Sequence, residues 1–178
     1  MHLQQHKWWL AAFGGILLAL SVFLWLRPSP VMPQDVSDGL REQVRRNPRD
    51  GRGWALLAYA AVERNDFAEA AAAFEKAVAV SPKVATDPGV LCDWADALGM
   101  VQGGSLKGKP SELVSRALAL RANFPKALEM AGSAAYEAGQ FSLAADYWSR
   151  LRVQMQEGTP GRLALDAGIA RAEQLANQ

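Results

Sequence analysis

The stretch "GRGWALLAYAAVERNDFAEAAAAFEKAVAVSP", from Gly51 to Pro82, contains two runs of helix-forming residues that flank a short polar segment. Ala, Leu, Glu and Arg dominate both runs, and the Val residues are too scattered to produce the alternation of a strand. Asp66, with Glu69 three residues later, has the spacing of a capping box at the beginning of the second run. The stretch therefore predicts two helices joined by a tight turn.

Large and small side chains follow one another in this stretch in an order that is typical of a tetratricopeptide (TPR) repeat of about 34 residues. Two antiparallel helices approach closely only where side chains are small, as at Ala58 and Ala70, while Trp54 and Phe74 fill the remaining volume. The matching positions are Trp54, Leu57, Ala58, Ala61, Ala70, Phe74, Ala77 and Pro82.

A second unit with the same order of residues begins at Pro125 and includes Gly132 and Trp148. Between the two units the pattern is weaker, because Pro110 occupies the position of a small residue and several glycines interrupt the helical run. We predict three repeats, near 51–84, 91–124 and 125–158, of which the middle one is degenerate.

Helices are also predicted on both sides of the repeats, over Val36–Arg46 and Gly161–Ala176, where they would cap the open ends of the stack. The fold class is thus an all-α TPR solenoid in a domain that covers residues 36–178. Residues 28–35, with three prolines, are expected to form a stiff linker that precedes this domain.

The segment "VQGGSLKGKP", Val101 to Pro110, comes close to a phosphate-binding loop, with Gly103, Gly108 and Lys109 at the required spacing. Such a loop follows a strand, and its Lys is followed by a Ser or Thr that binds the metal ion. Here a predicted helix precedes the segment and Pro110 follows the lysine. We therefore predict a lengthened loop between two helices of the middle repeat, and no nucleotide site.

An apolar run without charge, "WWLAAFGGILLALSVFLWL", extends from Trp8 to Leu26. At about 1.5 Å per residue it would cross the roughly 30 Å hydrocarbon core of a bilayer, with Trp at both ends. We predict a tail and one transmembrane helix within residues 1–27. A cleaved signal peptide is the alternative, although its apolar part is usually shorter and ends at a small-residue cleavage site.

Charge restricts the partners but does not settle the topology. More basic residues follow the apolar run than precede it, and this alone favours a cytoplasmic domain. Without Lys7 and Arg27, residues 28–178 contain 17 basic and 18 acidic residues, so the net charge is −1. A domain with this charge has no overall field that would attract nucleic acid.

Candidates for catalysis are few. The chain has two histidines, His2 and His6, which precede the apolar run, and a single cysteine, Cys92, which therefore has no histidine partner in the domain. The carboxylates are scattered over predicted exposed faces. We predict no catalytic residue, no metal site and no cofactor, and hence a protein that is not an enzyme.

The remaining candidate is a binding surface. In a TPR stack the first helix of each repeat lines a concave groove, which can receive a peptide; the alternative is that a flanking helix of the chain itself partly fills this groove. Tyr59 and Tyr136 are the expected aromatic anchors. The predicted groove residues are Arg52, Ala55, Tyr59, Val62 and Glu63 in the first repeat, Cys92, Ala95, Gly99 and Gln102 in the second, and Lys126, Glu129, Ser133, Tyr136 and Glu137 in the third.

Three stretches together resemble the TPR-containing subunit of the bacterial cytochrome c maturation system, which is part of a haem lyase. They are "NPRDGRGWALLAYAAVERNDFAEAAAAFEKAVAVSP", "WADALGMVQGGSLKGKPSELVSRALAL" and "FPKALEMAGSAAYEAGQFSLAADYWSRLRVQM". The middle stretch is the most specific, because it combines a helix rich in Trp and Ala, a Gly-Gly loop and the sequence "RALAL". Longer members of the family have two membrane spans, whereas this chain has one predicted span and is similar to a short form.

The resemblance implies a single-span protein of the bacterial inner membrane, with its amino terminus in the cytoplasm and its TPR domain in the periplasm, and this overrides the orientation that charge favours. It also implies a non-enzymatic partner of apocytochrome c that binds an amphipathic carboxy-terminal helix and presents it to membrane subunits of the haem lyase. The alternative is a general envelope TPR scaffold for protein secretion or outer-membrane assembly.

Overall fold

The computed structural model describes residues 33–178, and every regular element in this range is a helix. In chain order the helices are α1 (Pro33–Arg46), α2 (Gly51–Glu63), α3 (Phe67–Val80), α4 (Pro82–Ala85), α5 (Pro88–Val101), α6 (Lys109–Leu120), α7 (Pro125–Glu137), α8 (Phe141–Arg152) and α9 (Pro160–Ala176). Helices α2 and α3, α5 and α6, and α7 and α8 pack as three successive helical hairpins, with α1 against α2 and α9 against α8. The predicted all-α TPR solenoid is the fold of this part of the chain.

The repeats are longer than the sequence pattern indicates. Their first helices begin at Gly51, Pro88 and Pro125, so that each begins 37 residues after the previous one. The middle repeat therefore begins three residues before the predicted start at residue 91. The middle repeat is longer than 34 residues because a long loop, residues 102–108, joins α5 to α6, and Asp87 caps the start of α5 by accepting hydrogen bonds from the backbone N–H groups of Gly89 and Val90.

Helix ends follow the local signals. The side chain of Asp66 accepts a hydrogen bond from the N–H of Glu69 at 3.0 Å, so the predicted capping residue begins α3. Helix α1 begins at Pro33, three residues before the predicted Val36 and inside the segment expected to be a linker. Proline suits the first turn of a helix, where its missing N–H has no partner to lose.

Most of the buried apolar side chains among the described residues belong to one core that extends from α1 to α7, with Phe74, Leu91 and Leu113 fully buried. A smaller cluster joins α7, α8 and α9 and contains Ile169 and Ala172. Helix α1 therefore packs into the main core through Val44, whereas α9 packs into the smaller cluster. On the α1 side, Arg41 donates two hydrogen bonds of 2.7 Å to Glu69 on α3.

The predicted tail and transmembrane helix, residues 1–27, lie outside the described residues. Within residues 33–178, no helix is long and apolar enough to cross a membrane.

Candidate peptide-binding face

Three side chains connect the first helices of all three repeats. Tyr59 on α2 donates a hydrogen bond from its Oη to Oδ2 of Asp93 on α5, at 2.8 Å. Lys126 on α7 donates from Nζ to Oδ1 of the same aspartate, also at 2.8 Å, and to Oδ2 of Asp96 at 3.2 Å. Because these residues come from successive repeats, they define one face of the stack, which we call the first-helix face.

A recess of about 100 Å³ opens on the first-helix face beside this network, and we call it the α2–α5 recess. Pockets for small molecules usually have volumes of roughly 300–1,000 Å³, so this recess has the size for a single side chain of a partner rather than for a cofactor. It is lined by Tyr59, Val62, Phe67, Asp93, Asp96, Ala97, Met100 and Lys126.

Tyr59 is both fixed and accessible. Its ring packs edge-on against Phe74, with the ring centroids 5.2 Å apart, and 40% of the residue remains exposed. Partial burial and the hydrogen bond to Asp93 both raise the pKa of the Tyr59 hydroxyl. A tyrosine held in one position with an exposed ring is the type of residue that anchors protein interfaces.

Lys126 keeps its charge in this setting. Partial burial acts to lower its pKa, but the hydrogen bond to Asp93 and the charge of the two aspartates outweigh this effect, so the pKa of Lys126 is raised. The ammonium group is therefore a fixed positive charge between two carboxylates.

The structure corrects the prediction for the middle repeat. Cys92 and Ala95 are 0% exposed and belong to the core, so they do not line an accessible groove, and Gly99 is buried as well. Asp93 and Asp96 face the recess instead. Counted from Pro88 instead of residue 91, the repeat position of Tyr59 falls on Asp96, and the Asp87-Pro88 sequence, a capping residue followed by proline, is the signal that would have placed the start of α5.

The other predicted positions of the first two repeats differ in exposure. Val62 is half-buried and lines the α2–α5 recess, while Arg52 and Glu63 are exposed on the same helix. Ala55 is buried in the core, where a partner cannot contact it. Gln102 is exposed and is the C-cap residue that follows α5.

A second and more apolar recess, of about 300 Å³, lies where α7 meets the loop after α8 and helix α9, and we call it the α7–α9 recess. Two predicted groove residues, Glu129 and Ser133, line it. Helix α9 forms one wall of this recess. The lining residues are Glu129, Ser133, Trp148, Leu151, Met155, Gly161, Ala164, Leu165 and Gly168.

Tyr136 has a packing role that the sequence did not reveal. Its ring lies 5.2 Å from that of Phe141 and 5.7 Å from that of Trp148, and the residue is half-buried. Trp148 in turn lies directly over Gly132, where an added Cβ would come within 2.2 Å of the indole Nε1. The predicted pairing of a small residue with a large one thus occurs here, and Tyr136 is part of it.

Glu137 holds the long loop of the middle repeat. Its carboxylate accepts hydrogen bonds from Ser105 Oγ at 2.5 Å and from the backbone N–H of Leu106 at 3.0 Å. These two hydrogen bonds lower the pKa of Glu137. The segment that nearly matches a phosphate-binding loop is therefore a loop between two helices, as predicted, and Glu137 of the third repeat holds it in place by hydrogen bonds.

The single cysteine has no reactive environment. Burial raises the pKa of the Cys92 thiol to about 12, with Lys126 acting in the opposite direction and Asp93, Asp96 and Glu129 acting in the same direction as burial. Among residues 33–178, no group of three or more His, Cys, Asp and Glu side chains could hold a metal ion.

Fold and face together define a TPR protein whose first helices present fixed but accessible side chains. Residues 29–162 match the family model described as "Cytochrome c-type biogenesis protein H TPR domain", and the chain belongs to this family. The resemblance found in the sequence is thereby confirmed. The chain is a TPR protein of cytochrome c-type biogenesis.

Two relatives carry the name Cytochrome c-type biogenesis protein CycH. That of Pseudomonas aeruginosa is 29% identical over 146 residues, which cover 82% of this chain and 35% of the relative. That of Bradyrhizobium diazoefficiens is 27% identical over 132 residues, which cover 74% of this chain and 35% of the relative. The chain thus spans about a third of the length of these relatives.

Among solved structures, the crystal structure of MamA protein is similar, with a TM-score of 0.69 and 14% identity. The likeness covers 82% of this chain and 74% of the other. At this identity it establishes the helical TPR fold and nothing further.

Proposed function

We propose that this protein binds a segment of apocytochrome c on its first-helix face and presents it to the membrane subunits of a haem lyase. The segment is an amphipathic helix, such as one at the carboxy terminus of the apocytochrome. The protein acts by binding alone and is not an enzyme, in keeping with its membership of a family of TPR scaffolds and with a cysteine that is buried in the core.

The proposal is supported above all by the hydrogen bonds that Tyr59 and Lys126 donate to Asp93 beside the α2–α5 recess. Each of these three residues comes from a different first helix. Their mutual hydrogen bonds hold the three side chains in place before a partner arrives, so little conformational entropy is lost on binding. An apolar side chain on one face of a helix fits a recess of this size, as in other complexes in which an amphipathic helix lies in a groove.

The location is also proposed. The apolar run from Trp8 to Leu26 would anchor the chain in the bacterial inner membrane by one span, with the TPR domain in the periplasm. Protease added to spheroplasts should then digest the TPR domain while a cytoplasmic marker stays intact. Protection of the domain until the membrane is disrupted would place it on the cytoplasmic side.

Binding is tested by calorimetric titration of the full chain in detergent with carboxy-terminal helix peptides from apocytochromes c of the same organism. Scrambled peptides of identical composition are the controls. The proposal predicts selective binding with a dissociation constant of roughly micromolar or lower, as expected for a helix that buries a few anchors.

Two outcomes would contradict the proposal. Equal binding of native and scrambled peptides would show that the face does not recognise a helix, and no binding by folded protein would remove the proposed function. In the second case, crosslinking in intact cells should reveal partners in secretion or outer-membrane assembly, as the alternative scaffold function requires.

A further inference from the structure

An excess of carboxylates surrounds the α2–α5 recess. Lys126 Nζ lies 2.8 Å from Oδ1 of Asp93 and 3.2 Å from Oδ2 of Asp96, and Glu129 follows Lys126 by about one turn of α7. The four charged groups therefore lie on neighbouring turns of α5 and α7. Three carboxylates and one ammonium group give this part of the first-helix face a local charge of −2.

The lysine neutralises only part of this charge. Lys126 makes its shorter contact, 2.8 Å, with the half-buried Asp93, so this pair is largely satisfied within the protein. Asp96 is the more distant partner, at 3.2 Å, and its side chain is 59% exposed. Glu129 is exposed too. The two carboxylates that reach the surface are available to a positive charge on a partner.

These two carboxylates lie at different recesses. Asp96 lines the α2–α5 recess, and Glu129 lines the α7–α9 recess. Lys126 and Glu129 lie three positions apart on α7, a rise of about 4.5 Å. Neighbouring turns of one helix therefore line the two recesses. A bound segment that places apolar side chains in both recesses therefore also passes Asp96 and Glu129.

We propose that the bound segment is basic: an amphipathic helix with apolar side chains in both recesses and Lys or Arg residues that pair with Asp96 and Glu129. This inference rests on the proposed function and adds the charge of the ligand to it. Complementary charge of this kind selects among amphipathic helices and accelerates their association.

The test uses the full chain in detergent and a labelled apocytochrome c helix peptide that binds it. A second peptide has each Lys and Arg replaced by Glu. The protein variant combines Asp96→Asn with Glu129→Lys, and Glu75→Lys serves as its control, because Glu75 is an exposed carboxylate on α3, a second helix. Circular dichroism of each protein verifies that it is folded.

The inference predicts that the double variant binds the native peptide about tenfold more weakly or worse, while Glu75→Lys changes little. Raising the salt from roughly 0.05 M to 0.5 M should weaken native binding by several-fold, because salt screens exposed charges. The Glu-substituted peptide should lose affinity for the wild-type chain and regain part of it with the double variant.

The results separate this inference from the function on which it rests. Native-peptide binding that is insensitive to salt and to the double variant would overturn the basic-ligand inference and leave apocytochrome binding intact. If the double variant does not fold, the salt dependence and the Glu-substituted peptide still decide the matter. Absence of native-peptide binding to the wild-type chain would overturn both.

Discussion

Tyr59 and Tyr136 are both on first helices, in the first and third repeats, yet their surroundings differ. Tyr59 packs against Phe74 in a T-shaped arrangement, donates a hydrogen bond from its hydroxyl to Asp93 across the repeat boundary, and remains 40% exposed. Tyr136 packs between Phe141 and Trp148, at the end of the stack where α9 closes the core. The two tyrosines thus differ, because Tyr59 remains accessible on the face and Tyr136 is part of the packing at the end of the stack.

The difference follows from what each repeat has as its neighbour. The first repeat continues into a second one, and the polar network between them fixes side chains without covering them. The third repeat meets the capping helix α9, and aromatic rings fill the space beside Gly132 and Gly168. The end of the stack is thus packed by aromatic rings of α8 and by α9, and Tyr136 is half-buried in this packing.

The largest effect is expected from Trp148→Ala at the packed end. Loss of this ring leaves a cavity beside Gly132 and removes the contact with Tyr136, so the free energy of unfolding should fall by about 3–5 kcal/mol. Chemical denaturation of the full chain measures it. As a control, Leu163→Ala changes a residue that is 60% exposed on α9 and should have an effect within about 0.5 kcal/mol. Equal stability of the two variants would contradict the packing role.

Sequence pattern was sufficient for the parts of the fold that depend on local signals. The hairpins α2–α3 and α7–α8, the cap at Asp66 and the pairing of Gly132 with Trp148 follow from capping residues and from the sizes of side chains. The family was also identifiable, since the resembling stretches extend over all three repeats.

The frame of the middle repeat and the network on the first-helix face could not be obtained in this way. The loop between α5 and α6 lengthens the middle repeat to 37 residues, and a fixed period of about 34 residues does not anticipate it. The contacts of Asp93 join residues 33 and 34 positions away, so they depend on how the repeats stack. The sequence also did not show that Tyr136 packs against Phe141 and Trp148, because a repeat position predicts the helix face of a residue and not which rings of the next helix reach it.

The next effect compares the two tyrosines directly. Tyr59→Ala should weaken binding of the apocytochrome c helix peptide by about 2 kcal/mol, roughly thirtyfold, because it removes the anchor at the α2–α5 recess. Tyr136→Ala should instead reduce the free energy of unfolding, by about 2 kcal/mol, with little change in affinity while the protein is folded. Calorimetric titration measures the peptide affinity of each variant, and chemical denaturation measures its free energy of unfolding.

An equal loss of affinity in the two variants would restore Tyr136 as a binding residue. An unchanged affinity in folded Tyr59→Ala would remove the α2–α5 recess from the binding site.

The smallest effect concerns the loop that Glu137 fastens. The folded-state pKa of Glu137 lies below its unfolded value of about 4.3, so its hydrogen bonds stabilise the loop above that pH and are lost as the pH falls through the folded-state pKa. The amide resonance of Leu106 should therefore titrate with a midpoint below about 4.3. Glu137→Gln should abolish this titration. A midpoint above the unfolded value would contradict the arrangement.

Crosslinking in intact cells can determine whether the first-helix face receives apocytochrome c. A photoreactive amino acid replaces Tyr59 in the full chain, and in a second strain it replaces Leu120, which is similarly exposed at the end of α6, a second helix. The account predicts that illumination links apocytochrome c to position 59 and not to position 120. Equal crosslinking from both positions, or apocytochrome attached at position 120 alone, would contradict it.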